Sequence, residues 1–112
     1  MDRRLALHDL QREAGFELPA SYLDLLGREN GCEGTLPVPP WRYVLWPAEE
    51  VRGLNQGFEV DENYPGLFAF GGDGSQHMLA FDLRSGPPHR VVTAPFIGLP
   101  EEIALVGNTL AD

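Results

Sequence analysis

Residues 71–83, GGDGSQHMLAFDL, decide how this chain is read. Three glycines, two aspartates, a serine and a histidine within thirteen positions could build a phosphate cradle, a metal site or part of a hydrolase. They could equally build a tight turn leading into a β-strand. The catalytic readings fail on chemistry. A P-loop needs a lysine to reach the β- and γ-phosphates, and all eight basic residues here are arginines. The same lack of lysine removes any Schiff-base mechanism. A dinucleotide fingerprint requires its glycines between a strand and a helix, whereas Gly72 and Gly74 lie between two strand-like runs. A nucleophile elbow requires glycines flanking the serine at fixed spacing before a helix; Ser75 is followed by a strand pattern.

A metal-dependent hydrolase would have to draw on Asp73, His77, Asp82 and His89, and the two histidines fall in no ligand spacing. Asp61 and Asn63 resemble the opening of a calcium loop, but the twelfth position of that loop is Gly72 rather than glutamate. The sequence therefore predicts no catalytic residue, no metal and no cofactor. It predicts a hairpin, with glycines supplying positive φ and Asp73 capping the turn. The flanks alternate accordingly, Leu79 and Phe81 on one face, Met78 and Ala80 on the other.

Outward from that hairpin, LFAFGG (67–72), QHMLAFDL (76–83) and HRVVTA (89–94) read as strands, and YVLWP (43–47) as an earlier one. Leu7, Leu10 and Ala14 at i, i+3 and i+7 predict a helix over 4–14 ended by Gly15. LPASYLDLLGRENG predicts a second, opened by Pro19 and stopped at Asn30-Gly31. PAEEVRGLNQ predicts a third, and residues 57–66 an acidic loop. LPEEIALVGNTLAD predicts a terminal helix, because Pro100 opens it and Ile103, Val106 and Leu110 keep helical spacing. The segment 32–42, with its prolines, reads as irregular or extended. The expected fold is a single α+β domain spanning 1–112, order ααβαβββα, with a largely antiparallel sheet covered by helices on one side.

Charge narrows the function. Seventeen acids against eight bases give a net charge of −9, which opposes nucleic acid and anionic membranes and favours a basic protein partner. From Tyr43 to Asp82 there are seven acids and one base, Arg52, so this segment carries six of the nine net negative charges. Glu49-Glu50 and Glu101-Glu102 follow prolines in predicted first turns, where the helix dipole favours acids. Glu59, Asp61 and Glu62 instead lie on the loop beside Phe58 and Tyr64, and Trp41 lies in the proline-rich segment. Trp41, Glu59, Asp61, Glu62 and Asp73 are therefore the expected protein-binding residues, since aromatic anchors carry much interface energy. His8 reads as solvated. A lone cysteine, Cys32, reads as a buried bystander, and with no signal-peptide pattern the expected location is cytoplasmic.

The arrangement resembles the SUKH superfamily. The pieces that carry the likeness are LPASYLDLLGRENG, through Leu18, Pro19, Tyr22, Leu25, Leu26, Asn30 and Gly31, then LWPAEEVRGLNQ, through Leu45, Pro47, Glu50, Val51 and Asn55. LFAFGGDGSQHMLAFDL, RVVTAP and the terminal segment continue it, so the likeness runs from about residue 5 to residue 110. Two features depart from the pattern: Cys32 stands where a glycine is usual, and the segment before YVLWP is short. The resemblance implies an α+β domain without catalytic residues. Bacterial members are typically immunity proteins that bind and block a toxin domain, often a nuclease; others are intracellular regulators or scaffolds of the Smi/Knr type.

Overall fold

The structure, a computed structural model, describes residues 3–16, 18–28, 31, 33–36, 41–74, 76–84, 89–96 and 102–107. Helices α1 (Arg3–Ala14) and α2 (Ala20–Arg28) lead into β1 (Glu33–Thr35) and β2 (Arg42–Leu45). Helices α3 (Ala48–Gly57) and α4 (Val60–Asn63) follow, then β3 (Leu67–Gly72), β4 (His77–Asp82), β5 (Arg90–Pro95) and β6 (Ala104–Gly107). The six strands form one sheet in the order of the chain, every neighbouring pair antiparallel.

Period-two alternation splits the central strands between two cores. Phe70, Leu79, Phe81 and Val91 face a core closed by Leu10, Tyr22, Leu26 and Val51 from the helices. Here Tyr22 meets Phe70 and Phe81 edge-on at 5.2 and 5.4 Å, and Phe70 stacks on Phe81 at 4.3 Å. Gln11 fastens the end of α1 by donating to the Phe16 carbonyl (2.6 Å) and accepting from the Leu18 N–H (2.9 Å). That holds the Phe16 ring against Phe68 and Phe81. Leu67, Ala69, Met78, Ala80, Val92 and Ala94 face the other way, under Val60 and Tyr64. Helices on one side were expected; the strands are buried on both faces, so α4 and side chains from the connections close the second.

Strand β2 pairs with β3 only at Val44–Gly72 and Leu45–Gly71 before the chain turns into α3. Gly71 is required there, because a Cβ would strike the Val44 carbonyl. Beyond that point Asn55 of α3 acts as the missing strand. Its Oδ1 accepts from the Ala69 N–H (2.9 Å), and its Nδ2 donates to the Ala69 carbonyl (2.7 Å) and the Val51 carbonyl (2.8 Å). One side chain thus satisfies both backbone groups of a residue with no solvent exposure.

Three expectations are corrected. The terminal helix is not formed at 104–107: these residues are β6, antiparallel to β5, and Glu102 precedes a strand rather than opening a helix. A three-residue spacing reverses faces in a strand, and Ile103 accordingly packs on the second core while Val106 enters the first. Covering the edge of the apolar β5 outweighs helix propensity. Residues 33–35, in the segment expected to be irregular or extended, are β1; part of the expected acidic loop is α4, and the order is ααββααββββ rather than ααβαβββα. The stop at Asn30, Cys32, Ser75, Pro100, Glu101 and Leu110 lie outside the described residues.

Past β4, Arg84 grips Asp82 through its backbone N–H (3.0 Å), Nε (2.9 Å) and Nη2 (2.9 Å). Those side-chain hydrogen bonds hold the Asp82 carboxyl below the ordinary carboxylate range, against the opposing effect of burial. A depressed folded-state pKa stabilises the protein above the unfolded value of ~3.9 and ceases to do so as pH falls through the folded value. Asp82→Asn should therefore lower stability at pH 7, by up to about 1 kcal/mol because Arg84 is half exposed. The gap to wild type should close in urea titrations repeated well below pH 3.9.

Candidate functional site

The candidate surface forms where two connections bring aromatic rings to the outside of the sheet. Trp41, immediately before β2, is 60% exposed and has φ +70°. Its carbonyl accepts the Leu36 N–H at 2.9 Å, one step beyond the Thr35–Arg42 pair of β1 and β2. A bulky residue in the left-handed region costs on the order of 1–2 kcal/mol. The fold therefore holds a large apolar ring in solvent on strained backbone.

Phe58 caps the C-terminal end of α3 and is 40% exposed. Its ring lies 4.7 Å from Phe96 and 6.1 Å from Trp46, so three rings from distant parts of the chain form one patch. Glu59 next to it also has positive φ (+53°), which turns the chain sharply from α3 into α4. The Asn63 N–H and Nδ2 bond the Glu59 and Phe58 carbonyls at 3.0 and 3.3 Å and pin that corner. Asp61 and Glu62 are exposed on α4, while Val60 and Tyr64 point inward. The Tyr64 hydroxyl donates to the Pro95 carbonyl at 2.7 Å, and burial, with the nearby Glu102 charge, raises its pKa.

The five expected binding residues divide into two groups. The Arg42 guanidinium lies over Gly74, so Trp41 and the β3–β4 turn share one end of the sheet. Phe96 abuts Gly72 and donates its N–H to the Gln76 carbonyl, which places the Phe58 patch and the adjoining Glu59 near that end. Asp61 and Glu62 border a groove beside Gly66 and Leu83, at the far end of β3 and β4. Asp73 is a turn cap. Its N–H donates to the His77 carbonyl (3.1 Å), its Oδ1 accepts from the His77 N–H (3.3 Å), and Oδ2 lies 3.4 Å from His77 Nδ1. With Gly74 at φ +82°, β3 and β4 pair as the antiparallel hairpin that the sequence predicts.

Asp82 and His89 lie at the opposite end of β4 from Asp73 and His77, about 17 Å away at strand rise. Among the described residues no group of three or more His, Cys, Asp or Glu is arranged to hold a metal. No helix among them is long and apolar enough to cross a membrane. The aromatic patch is the feature that residue-level reading missed. Phe58 was visible beside the acids, but its partnership with Trp46 and Phe96 joins segments far apart in sequence.

No curated protein matches the chain significantly. The model of the SMI1 / KNR4 family (SUKH-1) matches residues 5–112, essentially the whole chain. The hairpin, the Asn55 clasp and the Pro19-led helix fall within that match, and the chain belongs to the SMI1 / KNR4 family (SUKH-1).

Proposed function

We propose that this protein is a non-enzymatic, cytoplasmic immunity protein that binds a basic toxin domain, a nuclease being the best fit, and occludes it. Membership of the family supports an immunity-type or Smi/Knr-like role. The observation that carries the finer reading is the exposure of Trp41 and Phe58 on a chain of net charge −9, with Glu59 adjoining Phe58 and Asp61 and Glu62 exposed on α4. Large rings in water favour a partner that covers them, and the acidic field selects a cationic one. The rings would limit dissociation while the acids speed encounter, much as the phosphates of a nuclease substrate would.

Co-purification with the product of the adjacent reading frame tests the reading directly. The association rate should fall by roughly tenfold or more as salt rises from about 50 mM to about 500 mM, because Debye screening shortens the steering field. A salt-independent association rate removes the acidic surface from the mechanism. A partner that is a housekeeping protein would make the chain a Smi/Knr-type regulator instead.

A further inference from the structure

The ring patch of Phe58, Trp46 and Phe96 stands on electrically one-sided ground. Phe58 and its neighbours Gln56, Gly57 and Glu59 are exposed, and Trp46 and Phe96 are partly so. No lysine, arginine or histidine occurs in residues 53–73 or 91–112, the two segments that supply Phe58 and Phe96. The rings therefore meet solvent where their own chain offers them no cation.

Separate sources of negative potential converge on the patch. Phe58 closes the ten-residue helix α3, whose last turn holds no basic residue, so the negative end of its dipole is uncompensated. The Phe58 and Glu59 N–H groups bond the Leu54 and Gln56 carbonyls at 2.9 and 3.1 Å, and among the described residues no backbone N–H donates to the Gly57 carbonyl. Glu59 follows directly on backbone pinned by Asn63. On the other side Glu102 lies close enough for its charge to act on the Tyr64 hydroxyl, which is bonded to the carbonyl just before Phe96. The faces of the rings are themselves negative, through the aromatic quadrupole.

We propose that this patch seats one arginine side chain of the protein partner, its guanidinium against the exposed Phe58 ring, an inference that rests on the binding-module reading above. An aliphatic side chain would cover the rings but strip water from the helix end and Glu59 without replacing it. A lysine ammonium is more strongly hydrated and has no flat face to lay on a ring. A guanidinium answers both demands. Its weakly hydrated plane stacks on an aromatic face, and the N–H groups around its edge remain free to donate to acceptors at the rim.

The test uses the full chain, ¹⁵N-labelled, titrated at constant ionic strength with N-acetyl-arginine methylamide and with its lysine and citrulline counterparts. The Trp46 indole N–H and the Phe58 and Glu59 amides should shift with arginine. The indole of Trp41, which adjoins the cationic Arg42, should move less. Citrulline keeps the shape but not the charge, and should bind at least about threefold more weakly. Phe58→Leu keeps an exposed apolar side chain and removes the ring, so it should weaken arginine about twofold to fivefold with the rest of the spectrum in place. Equal binding of citrulline, an unaltered titration of Phe58→Leu, or equal shifts at Glu33, Glu49 and Glu50 would overturn the assignment. The two readings fail separately. If a captured partner needs Phe58 but the titrations show no preference for arginine, the arginine assignment falls and the binding-module reading stands. If arginine is preferred at Phe58 but no protein partner is captured, the binding-module reading falls and the patch remains a seat for a guanidinium.

Discussion

Alanine at Asn55 should lower the unfolding free energy by about 3 kcal/mol, the largest single effect expected from a polar side chain in this protein. The substitution strands the N–H and carbonyl of Ala69, a residue with no solvent exposure, where β2 has already departed and no strand can replace the amide. An unpartnered buried backbone group costs about 1–3 kcal/mol, and two are released together. Urea titration should show a lower midpoint with an unchanged slope, because the folded surface barely alters. Asn55→Asp separates the hydrogen bonds from the packing. A carboxylate still accepts from Ala69 N–H but sets a negative oxygen against the Val51 and Ala69 carbonyls. Its folded-state pKa would be raised, so the variant should regain stability as pH falls and the protonated acid can donate again. An Asn55→Ala protein with wild-type stability would show that the clasp is incidental.

On the binding side, Trp41→Ala and Phe58→Ala should each loosen the complex by about 100-fold, equivalent to about 2.8 kcal/mol. The change should appear in the dissociation rate. Neutralising Glu59, Asp61 and Glu62 together should instead slow association and flatten its salt dependence. Glycine at Trp41 gives the sharpest contrast. Because the backbone there has φ +70°, Trp41→Gly relieves strain and should leave the free protein more stable than Trp41→Ala by about 1 kcal/mol. It should still lose the partner as completely as the alanine variant. Stability gained while binding is lost would mark the indole as held for recognition. A Trp41→Gly protein that retains full affinity would remove Trp41 from the interface.

Much of this architecture is legible in the residues, for identifiable reasons. The β3–β4 hairpin can be read because LFAFGG and HMLAFD alternate on either side of a glycine-aspartate turn, and each of these signals is local. Helix α2 can be read because Pro19, Tyr22 and Leu26 mark its start and its buried face within two turns. Strand β6 cannot, because Ile103 and Val106 are three apart in either conformation, and only the waiting edge of β5 decides between them. Helix α4 is too short for any period to show. At the candidate site, the acids 59, 61 and 62 are legible as exposed, since nothing apolar alternates with them in a strand or helix pattern. Asp73 is ambiguous by composition and becomes a turn cap only through its bonds to His77. The Phe58 patch and the groove each join elements that the linear pattern does not connect.

The strands lie side by side in the order in which they are synthesised, from β1 to β6. Each new rung can zip onto the one made just before it, and only the excursion through α3 and α4 delays a pairing. Chains built this way avoid the long closures that slow many all-β folds. An ordering of this kind lets each strand find its partner without waiting for a distant segment of the chain.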